Sequence, residues 1–306
     1  MTRIAGWLER HWRLAVVAGV ALAALFSWFG WRSWQARQAP ALARHLPEGG
    51  HSTLWIDFSL LRRSGVLGSL QQSSAPEEPD YQKFVAATGF DYRKDLDGVL
   101  ATFRPDASFF IVTGRMSREK FSAYATANGG RCENSLCSVQ GSAPDRQISW
   151  TFHDGVLMLA VSKDPRGAAI MLDERLPMTW TPPPSPVWIS VEGEQAKASA
   201  AGIPGLVALL GALEGARRSV FFVGGDPRNL SVQLDATCPD ESTAKRIAGR
   251  LTEQTTLLGR LLTREAQKID PNELSGILTS GKFEARANRV TGSWPVPKPF
   301  LDTLTK

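Results

Sequence analysis

The segment Gly276-Ile-Leu-Thr-Ser-Gly281-Lys282-Phe283 fits a phosphate-binding loop up to its last position. That chemistry needs Ser or Thr after the lysine to hold Mg²⁺, and a helix starting there to aim its amides at phosphate. Phe283 stands in that place instead, and Phe283, Ala285 and Ala287 alternate as a strand does. The match is therefore read as a coincidence. His153 and Asp154 are adjacent and could suggest a catalytic dyad, but neighbours on a strand point to opposite faces. No G-x-S-x-G elbow supplies a nucleophile for them. The carboxylates at Glu77, Glu78 and Asp80, and at Asp91, Asp95 and Asp97, could serve glycosidic chemistry or hold Ca²⁺. Arg93 and Lys94 lie within the second group and Pro79 within the first, so a solvated loop and a helix cap account for them. Asp57 closes an apolar strand and is expected to cap the helix that starts near Ser59. Asp57 and His153 remain the candidate ligand-site residues. Catalytic residues, a metal site and a cofactor are not expected.

Cys132 and Cys137 flank Glu-Asn-Ser-Leu, which reads as two short strands around a tight turn, a spacing compatible with a disulfide. Cys238, in Thr-Cys-Pro at a strand end, reads as a buried thiol. Three cysteines without nearby histidines do not suggest zinc.

Charge removes a further class of function. The chain has 306 residues and a net charge of +5. Six arginines against Glu9 alone place that whole excess within residues 1–44, leaving 29 basic and 29 acidic residues from His45 onward. A nucleic-acid surface needs cations concentrated against phosphate, so no nucleic-acid partner is expected.

The basic N-terminus surrounds eighteen residues without a charge, Leu14 to Trp31. At 1.5 Å rise per residue such a run spans about 27 Å, close to a hydrocarbon core of roughly 30 Å. Leu14, Val17, Leu22, Leu25, Trp28 and Trp31 are the expected membrane-anchor residues, with Trp7, Trp12 and Trp34 as interfacial rings. The expected orientation is a short cytoplasmic tail with the body exported, the segment being retained rather than cleaved as a signal peptide.

Beyond the anchor, one pattern runs twice. The first pass opens on Thr53-Leu-Trp-Ile-Asp57, and the second on Val187-Trp-Ile-Ser-Val191, after the stiff connector Thr181-Pro-Pro-Pro-Ser-Pro186. Each continues helix, strand, turn, strand, helix, hairpin, short helix. In the first pass Ser117 is placed to cap a helix, Gln147 to His153 alternate as a half-buried strand, and Asp164 to Glu174 reads as a closing helix. In the second, Asp240 caps a long helix with the stripe Ala244, Ile247, Ala248, Leu251, Leu258, Leu261 and Leu262. The expected fold is α+β: an N-terminal transmembrane helix followed by two similar antiparallel-sheet-plus-helix halves, an internal duplication. The expected divisions are a tail over 1–13, the membrane helix over 14–31, a linker over 32–52, a first half over 53–176, a connector over 177–186 and a second half over 187–306.

The stretch LPEGGHSTLWIDFSLLRRSG, followed by YQKFVAATGFDYRKDLDGVLATF, resembles exported, membrane-anchored bacterial proteins with no assigned activity, over about residues 46–115. The resemblance implies an envelope location and nothing catalytic. The functional expectation is a non-enzymatic, single-pass inner-membrane protein whose periplasmic or extracellular domain binds or scaffolds an envelope protein, with the lipid bilayer as its other partner. The alternative is an exported hydrolase or small-ligand-binding protein with a site between the halves. That alternative requires a concave, partly polar cleft including residues such as Asp57 or His153.

Overall fold

The computed structural model describes residues 39–47, 52–63, 79–173, 180–192, 210–226, 229–264, 270 and 272–303. Its centre is one antiparallel sheet of twelve strands in the order β11-β12-β10-β9-β8-β1-β2-β3-β7-β6-β5-β4. In chain order the strands are β1 (Ser52–Asp57), β2 (Leu96–Phe103), β3 (Ser108–Gly114), β4 (Arg131–Glu133), β5 (Leu136–Gln140), β6 (Gln147–His153) and β7 (Val156–Ser162). They continue as β8 (Val187–Glu192), β9 (Arg218–Asp226), β10 (Asn229–Thr237), β11 (Lys282–Arg286) and β12 (Arg289–Val296). The helices are α1 (Ala39–Leu42), α2 (Phe58–Arg63), α3 (Pro79–Thr88), α4 (Tyr92–Asp95), α5 (Arg118–Ala127), α6 (Glu241–Arg264), α7 (Leu274–Thr279) and α8 (Lys298–Thr303).

This architecture corrects the expected one. Two separate sheet-plus-helix halves behind a transmembrane helix are replaced by a single β-rich sheet carrying helices. The reason lies in the opening strands. Leu54, Trp55 and Ile56 on β1, like Trp188 and Ile189 on β8, are apolar on both faces, so neither strand can serve as an exposed edge. They pair with each other, with Trp55 directly opposite Trp188. The proline connector, read as a separator, delivers β8 to that pairing: the Asp57 amide donates to the Pro186 carbonyl at 2.7 Å. Pairing order runs outward alike on both sides of this junction, β1-β2-β3-β7-β6 and β8-β9-β10-β12-β11.

The transmembrane helix and signal anchor are corrected as well. Leu14 to Trp31, with the anchor residues Leu14, Val17, Leu22, Leu25, Trp28 and Trp31, lies outside the described residues. No helix among the described residues is long and apolar enough to cross a membrane. The longest, α6, has 24 residues and carries Lys245, Arg246, Arg250, Glu253 and Arg260 along its length.

One sheet face carries α5 against β4 and β5, with α3 packed on α5, and α6 and α7 against β11 and β12. Under α5, Phe121 and Ala125 pack with Leu157, Trp150 and Cys137. Under α6, Ala244, Ile247 and Leu251 pack with Leu234, Val290 and Trp294. On the opposite face a row of residues crosses the sheet by register: Phe222, Trp188, Trp55, Leu100, Ile111 and Met158. The N-terminal segment (Ala39, Leu42, Ala43, Leu46) and the 3₁₀ turn Gly167–Met171 close over this row. A full helix was expected over Asp164 to Glu174; among the described residues, the 3₁₀ turn takes its place. The same face is polar on β10 and β12, at Gln233, Asp235, Thr291 and Ser293.

Local capping follows the sequence. The hydroxyl of Ser117 accepts from the Lys120 amide, and the Asp240 carboxylate accepts from the Thr243 amide. Asp91 does the same for α4, accepting from the Arg93 amide at 3.0 Å and from the Tyr81 hydroxyl at 3.0 Å. Burial, and then the hydrogen bond and charge of Asp91, push the Tyr81 phenol up to about 12. Burial opposes ionisation of Asp91, but the Arg93 amide, the Tyr81 hydroxyl and the Lys94 ammonium outweigh it and hold the carboxyl below its usual range. A lowered carboxylate pKa stabilises the fold above the unfolded value of about 4, and that contribution fades as pH falls through the folded value. Asp91→Ala is therefore expected to cost about 1 kcal/mol at pH 7, as lost caps do. The deficit should narrow at pH 3, below the unfolded value of about 4, because the unfolded carboxyl there gains protons more readily than the folded one; urea unfolding at both pH values reads it.

Candidate functional site

At the β1–β8 junction, over the Trp55 and Trp188 pair of that row, a cavity of about 610 Å³ opens on the face opposite α5 and α6. Trp55 and Trp188 form its floor, and Pro182, Pro183, Pro184 and Pro186 of the connector form one wall. Asp57, Ser59, Leu60 and Arg63 line the α2 side, while Asp97 and Thr113 reach in from β2 and β3, and Ala39 and Pro40 complete the rim. Close backbone approach shapes the floor: a Cβ on Gly98 would stand 2.7 Å from the Trp55 ring, so only glycine lets the indole lie across β2. Thr113 donates its hydroxyl to the Gly98 carbonyl at 3.3 Å.

The floor is braced from behind. Trp188 is 1% exposed. Trp180 meets it edge to face at 5.4 Å, and the Arg218 guanidinium lies 5.0 Å over the Trp180 ring. Arg218 is also paired with Glu192 at 2.5 Å. A cation over tryptophan and an edge-to-face pair are attractive arrangements, so the connector is fastened to β8 and β9 before it forms the proline wall.

Polar groups in the cavity differ in how far they are satisfied. Asp57 Oδ1 accepts from the Ser59 hydroxyl at 2.6 Å and from the Leu60 amide at 2.8 Å, the cap expected from the sequence. Asp97 faces the Arg62 guanidinium at 3.6 Å, and Arg62 also donates to the carbonyls of Arg93 and Leu96. Ser185 is committed to the Val187 and Val223 carbonyls. Arg63 donates only a long contact, 3.4 Å, to the Ser59 hydroxyl. Among the described residues no carboxylate lies within ion-pair distance of it.

No family model matches the chain, and no curated protein matches it. Solved structures of TP0453 are similar in fold. Crystal form I has a TM-score of 0.49 and 9% identity, covering 88% of this chain and 98% of that one. Crystal form III gives 0.48 and 8% over 88% and 98%, and crystal form IV gives 0.45 and 10% over 89% and 97%.

The two sequence candidates do not meet. Asp57 lines the cavity, whereas His153 ends β6, four strands away from β1 in the sheet. His153 Nε2 lies 3.5 Å from Asp154 Oδ2, and its ring stands 5.6 Å from that of His45. His45, expected in an exposed linker, is instead held by the Met171 carbonyl at 3.1 Å from Nδ1, and the N-terminal segment thereby covers the sheet. Of the acidic group, Asp91 caps α4, Asp95 pairs with Arg115 at 2.9 Å, and Asp97 faces Arg62. Among the described residues no group of three or more His, Cys, Asp or Glu is placed to hold a metal ion. Gly276 to Thr279 lie within α7, and Lys282 and Phe283 lie in β11 rather than at a helix start, so this segment forms no phosphate-binding loop. Cys132 and Cys137 form a disulfide across the β4–β5 hairpin. Cys238 is buried, and burial, then the Asp240 charge, raises its thiol pKa, which keeps it protonated.

Sequence reasoning missed Arg63, Thr113 and the proline wall as lining residues. One signal was available: LWID and VWIS place Trp55 and Trp188 at equivalent points, and a cavity at their junction needs only that those strands be neighbours.

Proposed function

We propose that this protein is a non-enzymatic, exported binding protein that takes a small amphipathic molecule in the β1–β8 cavity. The observation that carries the reading is the cavity itself. About 610 Å³ falls within the range of small-molecule sites, and an apolar floor with a few convergent polar groups is their usual construction. The Cys132–Cys137 disulfide supports the exported location, since such bonds persist in oxidising compartments. Among the described lining residues there is neither histidine nor cysteine, and the one hydroxyl beside a carboxylate, Ser59, serves the α2 cap. That arrangement favours holding a ligand over transforming it.

Leu60 is 40% exposed on the cavity wall, so Leu60→Trp narrows the entrance at little cost to the fold. Calorimetry of the full-length protein against octylamine, octanoate, octanol and tri-leucine is expected to show one-to-one binding of at least one probe. Leu60→Trp should weaken it by about tenfold with the melting temperature of the free protein unchanged. Binding of none of these probes, or binding indifferent to Leu60→Trp, overturns the reading.

A further inference from the structure

We propose that the cavity selects a zwitterionic peptide-like ligand, its ammonium group on Asp57 and its carboxylate on Arg63, with apolar side chains against the tryptophan floor and proline wall; this rests on the binding reading above. The charges left without partners define the choice. Among the described residues, Asp57 Oδ1 accepts both of that carboxylate's hydrogen bonds, leaving Oδ2 free. Arg63 has no carboxylate partner there and only the 3.4 Å contact to Ser59. Asp97, by contrast, is already compensated by Arg62 at 3.6 Å. The cavity therefore presents one acceptor of negative charge and one donor of positive charge, joined through the Ser59 hydroxyl. A purely cationic ligand would leave Arg63 unmatched and a purely anionic one would face Asp57, so a molecule carrying both charges is the complement.

The remaining walls fit the same class. The connector prolines and Pro40 contribute no N–H, and the Pro183 and Pro186 carbonyls already accept from the Ser185 and Asp57 amides, which leaves the Pro182 and Pro184 carbonyls as acceptors among the described residues. A ligand rich in N–H donors and apolar side chains suits such a lining, and a peptide backbone supplies those donors. At about 610 Å³ the cavity exceeds what one free amino acid fills, which points to two or three residues.

The test uses the full-length protein and tri-leucine as probe, with its N-acetylated form, its C-amidated form and the doubly blocked form beside it. Asparagine caps helices as well as aspartate, so Asp57→Asn removes the charge while keeping α2, and Arg63→Gln alters an exposed helix end. Charge-assisted hydrogen bonds justify an expected weakening of at least about tenfold for tri-leucine in each variant. Asp57→Asn should leave the N-acetylated form unaffected, and Arg63→Gln the C-amidated form. Equal affinity for the free and doubly blocked peptides, or no change in either variant, overturns the assignment. Octylamine, octanoate or octanol binding without tri-leucine binding overturns the zwitterion while the binding reading stands. If none of the four binds, both fall.

Discussion

Trp188→Ala is expected to lower the stability of the protein by about 3–5 kcal/mol, the range for removing a buried aromatic side chain. Trp188 is 1% exposed and stands where β1 meets β8, opposite Trp55 and next to Phe222 by register. It also receives Trp180 from the connector at 5.4 Å. Its truncation removes apolar contact from both sides of the junction at once, and it detaches the brace that holds the proline wall. Trp188→Phe retains much of the volume and should cost less than half as much. Trp180→Ala alone should cost less than Trp188→Ala, since Trp180 is only half-buried, and the double variant should cost less than both singles together because they share one contact. Guanidinium unfolding midpoints measure all four. A Trp188→Ala protein within 1 kcal/mol of the wild type would contradict a continuous sheet through β1 and β8, because a core position at its centre cannot be that tolerant.

That junction also marks the boundary of what the sequence discloses. The strands were legible because their alternation is local: Gln147 to His153 and Leu230 to Ala236 show period two, and the caps at Asp57, Ser117 and Asp240 need only residues three positions apart. The Cys132–Cys137 spacing was legible for the same reason. Which strands become neighbours is a long-range property. Ser52 pairs with Val191 across the whole first half of the chain, and nothing in either strand alone names its partner. The proline-rich connector carried the wrong message, since stiffness was read as separation. Fixed backbone angles can as well deliver a strand accurately to a neighbour. The anchor expectation rested on apolar length, flanking arginines and interfacial tryptophans, and that segment lies outside the described residues. The cavity was half legible. Asp57 drew notice as a carboxylate ending an apolar strand, while nothing in the local pattern singled out Arg63. His153 drew notice through its neighbour Asp154, yet strand order puts it far from Asp57.

The long helix supplies the second large effect and a test of how far a hydrophobic stripe can be trusted. Leu251→Ala is expected to cost about 2–5 kcal/mol, because Leu251 is 1% exposed among Leu234, Ile247 and Trp294. Leu261→Ala should change stability by no more than about 0.5 kcal/mol, as exposed substitutions do. Both leucines belong to the same 3.6-residue stripe, and sequence periodicity cannot tell them apart. The sheet can. Ala244, Ile247, Ala248 and Leu251 lie over β10, β11 and β12 and are buried, whereas Leu257 and Leu261, one to three turns further on, are each 47% exposed. A helix of 24 residues runs about 36 Å at 1.5 Å per residue, and burial declines along it: Leu251 is fully buried, Leu258 and Leu262 are half-buried, and Leu261 is exposed. Chemical denaturation of the two variants side by side decides the matter. Equal losses would place the C-terminal turns of α6 in the core, and a loss confined to Leu251→Ala would show that the stripe continues past the surface it was built to cover.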